Sequence, residues 1–297
     1  ELPLRPGKHQ LANGCMFVAG GTSNTIIVAA RLGLKTSAIG AVGDDWLGKM
    51  VLQQLRDENV SVKYVQSVTG ASTTVSIELV DTNAQHVFVG ALGKGTAVGL
   101  STDQDTILSG VKAVFCTSYA LADHSLFSSS SSLSILNYAY QCSIPTFFDL
   151  GPAAFTIDKD IIEQAIKAST VVLTTMDEIC AWTGSSDKAQ ATNEILNLGA
   201  EIVVVKCGSA GCVIISSQDE IIIDGFEVSV RDTAGAGDAF AGAFIYGYLS
   251  KYSLAESGTI ANATGAITVT RVGTGPYVPQ RAEIFDLLES NGVTLGG

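Results

Sequence analysis

Along the chain, short runs of β-branched and apolar residues alternate with longer stretches whose apolar positions recur every three or four residues. These are the periods of a buried strand and of a one-sided helix. Strands are predicted at Ser37–Val42, Ala113–Thr117, Thr146–Leu150, Val171–Thr174, Ile202–Lys206 and Cys212–Ser216. Helices are predicted at Ser23–Leu32, Gly48–Glu58, Asp158–Ala168, Ala189–Leu198, Gly237–Ser250, Glu256–Val269 and Arg281–Glu289. Alternation of this kind implies an α/β fold with a mainly parallel sheet covered on both faces. No linker is long enough to divide the chain, so residues 1–297 read as a single domain.

Two segments break the alternation, near residues 1–19 and 73–92. They carry the strand-like runs Met16–Val18, Thr74–Val80 and His86–Val89, with Asp81-Thr82-Asn83-Ala84 as a turn between the last two. Patterning alone makes them extra strands outside the main sheet or an edge hairpin. Five consecutive serines, Ser128–Ser132, read as a mobile surface loop or the polar start of a helix.

Composition narrows the class. The chain is 46% hydrophobic and 15% charged, enough for a large core and too apolar for disorder. Its net charge of −12 argues against nucleic acid or an anionic membrane as partner. No apolar run approaches the roughly 20 residues of a membrane span, and the N-terminus lacks the apolar core of a secretory signal. The six cysteines are scattered without metal-like spacing and read as reduced, mostly buried thiols. The expected location is the cytoplasm, with an organelle stroma also open.

The candidate chemistry is concentrated in residues 231–244, RDTAGAGDAFAGAF. A small-residue turn, Ala234-Gly235-Ala236-Gly237, precedes Asp238 and an apolar helix-like run. Glycines let the backbone bring its N–H groups close to a ligand, and a helix start adds unpaired donors and a positive dipole end. The assembly suits a phosphate-sized anion. A carboxylate beside it is expected to stay ionised and to accept a proton, which is what phosphoryl transfer to a hydroxyl requires. Alone, the motif could equally be a Gly-rich turn with an Asp cap.

It is joined by a second motif at residues 19–48, AGGTSNTIIVAARLGLKTSAIGAVGDDWLG. The two stretches resemble, in order and spacing, the C-terminal and N-terminal signatures of the PfkB (ribokinase-like) carbohydrate kinases, DTxGAGDxFxGAF and Gly-Gly…Asn…GxDxxG. Weaker similarity runs on to Pro279. The resemblance implies a ribokinase-like three-layer α/β/α sandwich, its two extra segments forming a small lid over the acceptor that in several relatives also pairs subunits into a homodimer.

The resemblance further implies an ATP- and Mg²⁺-dependent kinase acting on a hydroxyl of a small sugar. Asp238 would be the base and the backbone of Gly235, Ala236 and Gly237 the anion hole. Gly20, Gly21 and Asn24 would contact the sugar, although Asn24 could instead cap a helix. Glu178, in a segment similar to the family's NxxE but with Thr175 in place of Asn, would hold Mg²⁺ through water, or simply sit in a helix's first turn. Lys206 and Gly208 fall in a strand-end loop near the nucleotide, where Lys206 could also be a solvated surface side chain. Asn262 and Gly265 would border adenine, and Asp232 would hold a potassium ion or only the turn. Relatives usually begin with a strand carrying a sugar-binding Asp. Here no acidic residue but Glu1 precedes Asp44, and truncation of that strand is the expectation. A nucleoside acceptor and a catalytically silent binding protein are the alternatives.

Overall fold

The structure, a computed structural model, describes residues 7, 11–12, 14–80, 86–122 and 126–296. In chain order the elements are α1 (Thr22–Leu32), β1 (Ser37–Gly43), α2 (Trp46–Asp57), β2 (Ser61–Val68), β3 (Val75–Val80), β4 (His86–Ala91), α3 (Gln104–Leu108) and β5 (Val114–Thr117). There follow α4 (Ser129–Gln141), β6 (Thr146–Asp149), α5 (Lys159–Lys167), β7 (Val171–Thr175), α6 (Met176–Thr183), α7 (Lys188–Leu198), β8 (Ile202–Lys206), β9 (Cys212–Ser216) and β10 (Glu220–Ile223). The chain closes with α8 (Ala236–Leu249), α9 (Leu254–Thr268) and α10 (Arg281–Ser290).

Six strands form one sheet in the order β10-β9-β8-β7-β6-β5. From β5 to β8 neighbours run parallel, and β9 and β10 are antiparallel additions at one edge. The middles of the buried strands are apolar because both faces are covered, and their polar residues fall at the strand ends. Their alternate residues serve two cores. Phe147, Val171, Leu173 and Val204 meet α1, α8, α9 and α10, whereas Phe148, Val172, Val203 and Val205 meet α4, α5, α6 and α7. This is the expected three-layer sandwich. A separate parallel pair, β1-β2, borders the first core, against which Ala38 and Phe115 both pack, and a third, smaller one formed with α3 and α4, against which Ile39 and Val114 pack.

Segment 73–92 contains the expected hairpin, β3-β4, in register from Val75↔Ala91 to Val80↔His86. Its predicted turn, 81–84, lies outside the described residues. Asp45 caps α2 and also accepts hydrogen bonds from the Thr73 amide and hydroxyl, fastening the hairpin's base to the GxDxxG turn.

Two expectations need correction. Met16–Val18 forms no strand: the Gln54 side chain donates to the Phe17 carbonyl and accepts from the Ala19 amide, and Phe17 packs edge-on against Trp46. A side chain thus supplies what a ladder would have. The serine run opens α4, the second of its two readings, with a first turn that has no apolar face. The thiols are all free, yet only Cys116 and Cys212 are buried, and Cys15 and Cys142 are exposed. Among the described residues no helix is long and apolar enough to cross a membrane.

Candidate active site

The carboxyl ends of the parallel strands and the start of α8 converge, as expected where open α/β sheets bind ligands. Gly235 is the residue before α8 and adopts a left-handed conformation, φ 70°. A β-carbon there would also lie 2.9 Å from Thr274 Cγ2 and 3.2 Å from Asn24 Nδ2, so the position accepts only glycine. The Ala236 amide donates to the Thr233 carbonyl. The amides of Gly235, Gly237 and Asp238 have no partner among the described residues, whereas that of Ala236, expected to face an anion, is engaged.

Asp238 stands in the first turn of α8, its carboxylate Oδ2 accepting a 2.9 Å hydrogen bond from Asn24 Nδ2. Burial pushes its pKa up to about 6, against the Asn24 bond, with Asp149 raising it further and Lys206 lowering it. It is therefore ionised at neutral pH but close to its titration range, where a base works best.

Asn24 is itself buried, and its other amide atom, Oδ1, accepts from the Gly275 amide at 2.7 Å. It does not cap α1, whose cap position is Gly21; one of its N–H groups is held by Asp238 and its oxygen by the Gly275 amide. Gly21, at φ 55°, and Gly20 lie exposed beside it, open to a ligand.

Lys206, at the end of β8, reaches across the end of β7 to Asp149, at the end of β6, with Nζ 3.0 and 2.9 Å from the two carboxylate oxygens. It is not a solvated surface lysine. Burial alone would lower its pKa, but Asp149, Glu178 and Asp238 outweigh this and raise it, so the ammonium is retained. Glu178 and Thr175 form a capping box at the start of α6: Thr175 Oγ1 accepts from the Glu178 amide, and Glu178 Oε2 accepts from the Thr175 amide at 2.8 Å. Thr175, where the resemblance leads to an Asn, thus caps α6, and Glu178 Oε1 has no hydrogen-bond partner among the described residues.

The sequence model described as pfkB family carbohydrate kinase matches residues 3–281. The chain belongs to the pfkB family of carbohydrate kinases.

A relative from Archaeoglobus fulgidus, described as an uncharacterized sugar kinase, is 29% identical over 86% of this chain and 99% of its own length. A 5-dehydro-2-deoxygluconokinase of Bacillus thuringiensis is 25% identical over 92% of this chain and 86% of its own. Among solved structures, the Arabidopsis thaliana ribokinase complexed with ribose and ATP superposes with a TM-score of 0.82 at 23% identity, covering 97% of this chain and 93% of that one. The chain is accordingly a sugar or nucleoside kinase of the pfkB family with the ribokinase fold.

Other expected site residues of this pfkB member take different places. Asn262 is buried in α9 and donates to the carbonyls of Ile223 and Asp224, tying down the end of β10, so its amide N–H groups are engaged within the fold. Gly265 faces the Ala236 carbonyl, where a β-carbon would fit at 3.7 Å. Gly208 is exposed in a turn at φ 60°. Asp232 is buried and uses both oxygens on backbone, accepting from the Ala234 and Gly273 amides, so it holds the turn. Two residues near the site went unnoticed. Asp149 is a charge at the carboxyl end of a buried strand, two residues before Gly151-Pro152, and that position was its signal. Tyr119 is more than half exposed, yet partial burial and then the charges of Asp238, Glu178 and Asp149 raise its pKa; nothing in its sequence context announces it.

Proposed function

We propose that the protein transfers the γ-phosphoryl group of ATP to a hydroxyl of a small sugar. The observation that carries this reading is a buried carboxylate, Asp238, hydrogen-bonded by Asn24 in the same helical turn whose amides are open to an anion. Asp238 accepts the proton of the acceptor hydroxyl as that oxygen attacks. The amides of Gly235, Gly237 and Asp238 meet the charge developing on the phosphoryl oxygens, and the dipole of α8 adds to their effect. Lys206 supplies the nearby positive charge.

The donor set fits a hydrated Mg²⁺, which needs only one or two carboxylates: Glu178 Oε1 has no hydrogen-bond partner among the described residues. When bound, that ion would neutralise charge on the nucleotide phosphates. The exposed glycines at 20 and 21 leave room for the acceptor beside Asp238. The β3-β4 hairpin closes over it, and its half-exposed apolar side chains, Ile77, Val87 and Val89, would be covered by a second copy in a homodimer.

Consumption of ATP against a panel of sugars, sugar acids and nucleosides tests the reading. Turnover with a sugar is the expected result. Turnover confined to nucleosides would correct the acceptor, and absence of turnover with every acceptor would contradict phosphoryl transfer to small alcohols.

A further inference from the structure

The ion pair between Lys206 and Asp149 is the part of the site whose purpose the chemistry above does not supply. Two of the three ammonium N–H groups are taken by the two Asp149 oxygens, and the third has no partner among the described residues. A β-carbon on Gly237 would lie 3.5 Å from Lys206 Nζ, so the ammonium sits against the first turn of α8, next to the open amides of Gly237 and Asp238. Both side chains are nearly buried, 12% and 9% exposed, so neither charge is relieved by water.

Three carboxylates compete for this one ammonium, namely Asp149, Glu178 and Asp238. A lysine on a flexible four-carbon stem goes to whichever holds it best. Were it to pair with Asp238, the base would be neutralised and its oxygens blocked. The bidentate contact with Asp149 prevents that, and among the described residues Lys206 forms no ion pair with Asp238. Strand register fixes the arrangement. Asp149 is opposite Leu173 and Lys206 opposite Thr175, so the two side chains bridge the end of β7 beneath the capping box of α6.

We propose that Asp149 is a positioning residue for phosphoryl transfer: it anchors the Lys206 ammonium beside the entrance of α8, one N–H free for the transferring phosphoryl group, and keeps it off Asp238. The proposal rests on the reading of Asp238 as the base. It assigns Asp149 no contact with substrate, so its whole effect passes through Lys206.

The test is a double-mutant cycle on the full chain, with MgATP and the acceptor that the panel returns. Asp149→Asn and Lys206→Gln should each lower kcat about 10- to 100-fold, the range that misplacing a catalytic group produces. KM for MgATP should stay within about threefold, because the interaction matures in the transition state. The double variant should be no slower than Lys206→Gln alone. That last comparison survives even if Asp149→Asn fails to fold, since the double variant carries no unpaired buried charge. Multiplying losses, or a change in KM with kcat intact, would overturn the proposal. Asp238→Asn in the same assay separates the two readings. If it kept full turnover while the cycle stayed non-additive, the base assignment would fall and the Asp149–Lys206 relation would stand.

Discussion

Asn24 Nδ2 and Asp238 Oδ2 lie 2.9 Å apart, joining residues 214 positions distant in the chain. The same amide accepts from the Gly275 backbone at 2.7 Å, so the first helix, the turn that opens α8 and the loop after α9 meet at one side chain. The two signature motifs are thus one hydrogen-bonded unit.

Asn24→Ala should lower kcat by about tenfold or more, since a hydrogen bond to a charged group contributes roughly 1.5–3 kcal/mol. The Asn24 bond lowers the Asp238 pKa, so the acid limb of the kcat–pH profile should move to higher pH in the variant. The acceptor KM should change little. An increase in KM alone, with the limb unmoved, would return Asn24 to direct sugar contact.

Asp238 should destabilise the fold at neutral pH. Its pKa rises from 3.8 to about 6 on folding, so the native state binds the proton more tightly than the unfolded chain. Above about pH 6 both states are ionised and the full penalty is present; it shrinks as pH falls and is gone below about 4. Asp238→Asn should therefore stabilise the protein by about 1–3 kcal/mol at pH 8, given about 1.4 kcal/mol per pKa unit, and not at pH 4. Thermal melts of both proteins at the two pH values measure this, and an equal difference at each would contradict it.

Gly235→Ala and Gly237→Ala should separate. The first forces a β-carbon to 2.9 Å from Thr274 at a left-handed φ and presses on the side chain that orients Asp238. The second adds a methyl at ordinary contact distance from Lys206, in helical backbone. Melting should show Gly235→Ala clearly destabilised and Gly237→Ala near wild type. The opposite order would mean that the turn is held differently.

Much of this was legible in the chain. The buried parallel strands β5 to β8 are continuous apolar runs, and α8 and α9 follow small-residue and capping signals, so period and punctuation found them to within a few residues. β2, Ser61–Val68, mixes polar and apolar residues without strict alternation, and α4 opens on four serines before its apolar stripe of Leu133, Leu136 and Ala139 begins, so the pattern marks neither clearly. The site divided in the same way. Asp238 and its glycines are local in sequence and could be read. The function of Asn24, the pairing of Lys206 with Asp149 and the diversion of Asn262 to backbone carbonyls are long-range contacts that no local spacing encodes.

The hairpin should respond to the acceptor. Saturating acceptor is expected to slow amide exchange in β3 and β4, and Asp45→Ala, which frees Thr73 from its anchor, should reduce that protection. Exchange unaffected by acceptor in the wild-type protein would remove the hairpin from the role of lid.

The central claim is that Asp238 accepts the proton in phosphoryl transfer, and its most direct test is steady-state turnover of Asp238→Asn with MgATP and the acceptor identified by the panel. The amide keeps the shape of the side chain and cannot take the proton. The account predicts a kcat lower by about 10²–10⁴-fold, the usual contribution of a general base, with MgATP affinity preserved by calorimetry. Retention of more than about a tenth of wild-type kcat would contradict it.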